Sequence, residues 1–233
     1  MQTLHDNQVC VSIPAAVRAG VANMTACDGD IRLEEVGSYN KESWLQHFGQ
    51  DADFQAILLR FQRPISRQDF TSFGTSILES SSATRQLFLI TMLWGYSTIG
   101  YGAWRTRKMM DTPNADRILQ ETVSLIAKGH FADAYSALRL DRCGPAFMAK
   151  FLYAAGLALE ADPLPLILDS RVAVALKSLF DENDINSRPF LSCSKDGMVR
   201  HDPICYERYV LLLNHWAKEL KVRPDDIEAY LFG

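Results

Sequence analysis

The 233 residues hold 48% hydrophobic, 22% charged and 10% aromatic side chains, an ordinary globular mixture that excludes collagen-like, low-complexity and disordered chains. A chain of this size hides roughly 70% of the surface its unfolded form exposes, so one unit over 1–233, or two intimate lobes, needs no metal or disulfide staple. The net charge of −4, from 24 basic and 28 acidic residues, excludes non-specific coating of nucleic acid by an overall positive field.

Cys10, Cys27, Cys143, Cys193 and Cys205 are odd in number, scattered, and contain no Cys-x-x-Cys pair, so neither a disulfide framework nor a zinc ribbon is expected. They fit a reducing, cytoplasmic setting. The first residues lack a basic stretch followed by an apolar run, and nothing approaches the roughly 20 apolar residues of a membrane helix, so a soluble protein with no membrane partner is expected.

Apolar residues recur with helical spacing nearly everywhere, which predicts an all-α chain. Residues 13–17 open a first helix, and short helices follow at 43–48 and 53–59; residues 1–93 form an N-terminal helical region. Ser66 caps a segment carrying Phe70, Phe73 and Ile77, and the serines at 80–82 precede an apolar helix at 87–93 that should be central. Residues 95–102 hold three glycines in eight positions and are expected to be a loop. Asp111-Thr112-Pro113 starts a helix that runs to Gly129, and a shorter one covers 131–138. An apolar helix spans 146–159, then comes a proline-rich loop, then a helix opened by Asp169. A loop over 182–202, a helix over 205–220 and a last helix from Pro224 complete the chain.

Between Ser80 and Met110 there is no acid, while Arg85, Arg105, Arg107 and Lys108 stand beside Trp94, Tyr96, Tyr101 and Trp104. Two readings compete: a basic aromatic face for a polyanion, or core aromatics with a solvated helix start.

Asp169 alone reads as an ordinary N-cap. About 25 residues upstream, however, Arg142-Cys143-Gly144-Pro145 forms a tight hairpin between two helical stretches. Glycine there lets backbone approach a phosphate, and the helix start that follows offers free N–H groups. Helix, hairpin, helix, proline loop and aspartate succeed one another over 131–180.

This segment, most clearly 140–176, resembles the helix-hairpin-helix DNA glycosylase superfamily. The blocks at 94–96 and 100–110, with the tail at 206–209, 216–220 and 227–232, resemble its bacterial 8-oxoguanine-glycosylase-like branch; residues before Trp94 carry no match. The resemblance implies a two-lobed, all-helical fold with a cleft between the lobes and a target nucleotide flipped out of double-stranded DNA. Asp169 would stabilise the positive charge that develops on the sugar. Bifunctional members carry a lysine after the hairpin that forms a Schiff base. Aligning on Gly144-Pro145 puts Ala146 there and implies a monofunctional enzyme; aligning on the distance to the aspartate selects Lys150, 19 residues before it. Lys150 lies off the apolar face of Phe147, Met148, Phe151, Leu152 and Ala155, which favours Ala146 and leaves Lys150 solvated or on a phosphate.

Arg142, Cys143, Gly144, Ala146, Arg171 and Arg105 are the expected DNA contacts, and Trp94, Tyr96, Tyr101 and Trp104 the expected base pocket. His201 and Cys205 with Cys193 are too irregularly spaced for zinc, so no metal or other cofactor is expected. The expected partner is DNA carrying a damaged or modified base, either an oxidised purine or a modified cytosine of phage DNA excised in antiviral defence, bound by a monomer. A non-catalytic DNA-binding module, a bifunctional enzyme using Lys150 and a helical interaction scaffold are the alternatives.

Overall fold

A computed structural model describes residues 11–27, 39–180, 194–195 and 198–233. The chain is mainly helical: α1 (Ala15–Cys27), α2 (Lys41–Phe48), α3 (Ala52–Arg60), a 3-10 helix (Arg67–Phe73), α4 (Ser76–Glu79), α5 (Ser81–Tyr96), α6 (Gly102–Met110), α7 (Ala115–Ala127), α8 (Phe131–Ala137), α9 (Pro145–Ala158) and α10 (Ser170–Ser178). Two residue pairs, β1 (Ser194–Lys195) and β2 (Met198–Val199), make a minimal antiparallel ladder before α11 (Pro203–Leu220) and α12 (Pro224–Phe232). None of the described helices is long and apolar enough to cross a membrane.

Local chemistry starts these helices. Asn40, Asp51, Ser80 and Asp202 each accept a backbone N–H of the first turn with their side chains, which satisfies donors that a helix leaves open at its beginning. The 87–93 segment is buried throughout within α5, which packs against α3, α4, α6, α7 and α9 and is central as expected. Helix α9 is equally enclosed, from Met148 to Ala158 except Lys150, by α5, α7, α8 and the 3-10 helix.

Three expectations change. Gly95 and Tyr96 belong to α5 and Gly102 to α6, so the loop shrinks to its middle. The glycines serve close approach: a Cβ on Gly102 would stand 2.6 Å from the Tyr96 Cβ, and one on Gly95 would stand 3.0 Å from the Lys150 Cδ. Helix α7 begins at Ala115 after a left-handed Asn114, past Pro113. Cys205 is buried and disulfide-bonded, a pairing that the scattered cysteines and the expected reducing setting did not predict; Cys143 is free. Most of the 182–202 loop lies outside the described residues.

The basic block is largely neutralised. Arg85, only 18% exposed, bridges Asp51, Asp53 and Asp116 and thereby ties α5 to α3 and α7, while Arg107 and Lys108 pair with Asp111. Distance along the chain hid the partners of Arg85. Arg105 makes no ion pair among the described residues and stays available.

Gly156 is where α9 touches the loop that carries Asp169. A Cβ there would lie 2.5 Å from Pro165 Cδ, and a rigid ring cannot yield as a long side chain does. Alanine gains about 1 kcal/mol in helix propensity, but overpacking costs about 1–3 kcal/mol. Gly156→Ala should therefore lower the urea midpoint; a raised midpoint would show that the loop gives way freely.

Candidate active site

Asp169 caps α10 with one oxygen: Oδ1 accepts the N–H groups of Arg171 at 2.9 Å and Val172 at 3.0 Å. Its Oδ2 has no protein donor among the described residues. The carboxylate is half-buried and lines a cleft of about 560 Å³ formed by Arg105, the hairpin from Arg142 to Phe147, Ser170 and β2.

The approach to Asp169 is a buried, non-helical segment, and buried backbone groups need partners. Side chains from the last two helices supply them. Asn214 accepts Leu164 N–H and donates to Leu164 O, both at 2.9 Å. Tyr206 donates to Leu166 O at 3.0 Å, Tyr209 to Ile167 O at 2.8 Å, and Glu228 accepts Ile167 N–H at 3.4 Å. The aspartate thus sits on a rigid mount. Sequence reasoning gave these residues no role, although Tyr206, Tyr209 and Glu228 lie in tail blocks that carry the resemblance; the available signal was polar tips on the apolar faces of the last two helices.

In the hairpin the residue with left-handed backbone is Arg142, at φ 61°, not Gly144, which is extended at φ −79°. What Gly144 provides is space rather than an unusual backbone conformation. No atom lies within 4 Å of where its Cβ would be, and the N–H groups of Gly144 and Ala146 have no protein acceptor among the described residues. An open helix start with free donors offers N–H groups and a favourable dipole to an anion. Gly144→Ala should leave the unfolding free energy from a urea melt within about 1 kcal/mol of wild type while weakening DNA binding in a fluorescence-anisotropy titration. Unchanged binding would remove the hairpin from the DNA contact.

Lys150 overturns its expected place in solvent. Its Nζ stands 5.0 Å from the Trp94 ring centroid, and its stem lies against Gly95. Burial pushes the amine below the ordinary lysine range, although Glu228 and Asp169 act on it in the opposite direction; Arg67 adds to the lowering. It makes no ion pair among the described residues. The helix-phase argument failed because α9 is enclosed on almost every side, so a position off its main apolar face still faces protein.

The four aromatic residues do not form one pocket. Trp94 and Tyr96 are core residues, Tyr96 stacking on Phe147 at 4.0 Å, whereas Tyr101 and Trp104 are 53% and 39% exposed. The buried indole N–H of Trp94 and hydroxyl of Tyr96 have no partner among the described residues. The exposed pair faces the basic groups: Arg105 lies 4.9 Å from the Tyr101 centroid, and Arg142 lies 5.2 Å from that of Trp104. The block thus divides into a core aromatic pair and an exposed pair beside arginines. Exposed Arg171 packs its guanidinium on Phe232 at 4.8 Å. Burial raises the Cys143 thiol to about 12, so it lines the cleft as a neutral group.

Among the described residues no cluster of His, Cys, Asp and Glu could hold a metal, and His201 stacks on Tyr135 at 5.0 Å.

Comparison with known proteins agrees with this geometry. No curated protein and no solved structure matches the chain. The family model described as "Putative 8-oxoguanine DNA glycosylase OGG-like protein" matches residues 31–232, including most of the first third that the resemblance left unmatched. With nearly the whole chain inside that match, and with a hairpin and a helix-capping aspartate on one cleft, the protein belongs to the OGG-like family so described.

Proposed function

We propose that this protein is a bifunctional DNA glycosylase that excises an oxidised purine from double-stranded DNA, with Lys150 as nucleophile and Asp169 as the electrostatic partner. One observation carries the lysine assignment: the amine is half-buried over Trp94, unpaired, and within the field of Asp169. This reverses the choice of Ala146 and of a monofunctional enzyme, and with it the reason for doubting an 8-oxoguanine-type substrate.

The neutral amine adds to C1′ of the extruded nucleotide as the bond from C1′ to the base breaks, and the base departs with the electron pair. One amine proton goes to the base. The other goes to O4′ as the sugar ring opens, leaving an imine between Lys150 and C1′. Asp169, with an oxygen free of protein donors, faces the charge that develops on the sugar. Gly144 and Ala146 N–H groups, Arg105 and Arg142 hold phosphates, while the orphan N–H of Trp94 and hydroxyl of Tyr96 are candidate contacts to the base edge.

The test is a panel of duplexes, each holding one 8-oxoguanine, one modified cytosine or no modification, incubated with the protein as a monomer in dilute solution. Strand breaks without alkali, together with a borohydride-stable adduct on the 8-oxoguanine duplex, are expected. Alkali-dependent breaks without an adduct would return the chain to the monofunctional class. Cleavage of the modified-cytosine duplex alone would move the substrate to that class, and binding without any break would leave a DNA-binding module.

A further inference from the structure

Next to Lys150 lies a buried ion pair that the excision chemistry above does not use. Arg67, from the 3-10 helix, donates to the two carboxylate oxygens of Glu228 at 3.3 and 3.4 Å, and Glu228 is 1% exposed. The same carboxylate accepts Ile167 N–H. Arg67 also donates to Tyr153 at 3.5 Å and places its guanidinium 5.5 Å from the Trp94 centroid. One indole therefore lies near two nitrogen groups, the Arg67 guanidinium and the Lys150 amine, while the buried carboxylate is bonded to only one of them.

The charged groups facing Lys150 are Glu228 of α12, Asp169 at the start of α10 and Arg67; α5 faces it with Trp94 and Gly95. A carboxylate free to bond the amine would hold it as an ammonium ion, which has no lone pair to attack a sugar. We propose that Arg67 is a positioning residue that keeps the Glu228 carboxylate off Lys150, so that the amine stays unpaired and nucleophilic. This rests on the Lys150 assignment above and adds a role for residues that touch neither DNA nor the reacting atoms.

The sign of each perturbation follows. In Arg67→Gln a repelling cation is lost and Glu228 is released toward the amine, so the ammonium form gains. In Glu228→Gln the attraction is lost while Arg67 remains, so the neutral form gains. The experiment is the single-turnover rate of borohydride-trapped adduct formation, followed against pH for the full chain. Compared with wild type, the acid limb should move up by about one pH unit in Arg67→Gln and down by a similar amount in Glu228→Gln. The double variant should return toward wild type. Loss of amplitude with unmoved midpoints, or shifts in the same direction, would show a merely structural pair and overturn the inference. Should Arg67→Gln fail to fold, Glu228→Gln decides alone: a downward shift supports the proposal, and no shift or an upward one overturns it. An adduct that survives Lys150→Ala defeats the nucleophile assignment itself. An adduct that needs Lys150 but has an unmoved pH profile in these variants defeats only the role of Arg67.

Discussion

Asp169→Asn should reduce base excision by on the order of 10²-fold or more without loosening the fold. The carboxylate has two separable tasks. Its Oδ1 caps α10 through the Arg171 and Val172 N–H groups, and an asparagine oxygen caps equally well, so stability should change by less than about 1 kcal/mol. Its charge is what asparagine lacks, and positive charge developing at the sugar would then meet a neutral dipole. Single-turnover excision beside a urea melt separates the two tasks. Parallel loss of both would show a structural cap, and retained excision would remove Asp169 from the chemistry.

Lys150→Ala should abolish the borohydride adduct and the alkali-independent strand break together. Among the described residues no other lysine is named by the geometry: there, Lys150 alone packs on Trp94 within the fields of Asp169 and Glu228. Because burial disfavours its charged form, wild-type adduct formation should fade as pH drops, with a midpoint below the ordinary lysine range. The same desolvation predicts the stability result. A buried amine contributes little to folding, so Lys150→Met, which keeps the stem's packing, should melt no earlier than wild type. Adduct formation in Lys150→Ala would point to another amine, and an early melt of Lys150→Met would mean that the ammonium is held by the fold.

Much of the fold was legible because its signals are local. Asn40, Asp51, Ser80 and Asp202 start helices through bonds that span three residues, and the apolar run of α5 fills the centre as its composition demands. Asp169 at a helix start, after a hairpin, was likewise readable, and so was the family. The misreadings involve distance. Arg85 looked like a charge for DNA until Asp51, Asp53 and Asp116 arrived beside it. Gly95 and Gly102 looked like loop residues because crowding by Lys150 and Tyr96 leaves no mark in the sequence.

By itself, then, the sequence determined helix positions, the placement of a carboxylate at the head of α10 and kinship with a glycosylase family, since each is carried by neighbours along the chain or by contiguous motifs. Tertiary structure alone decided how that carboxylate is mounted, through Tyr206, Tyr209 and Asn214, and how far Lys150 is withdrawn from solvent. The surroundings that draw Lys150 out of solvent formed only when helices from remote parts of the chain closed around α9, and Arg67 met Glu228 across 161 residues. Desolvation and pairing belong to the assembled surroundings, so no window of sequence contains them.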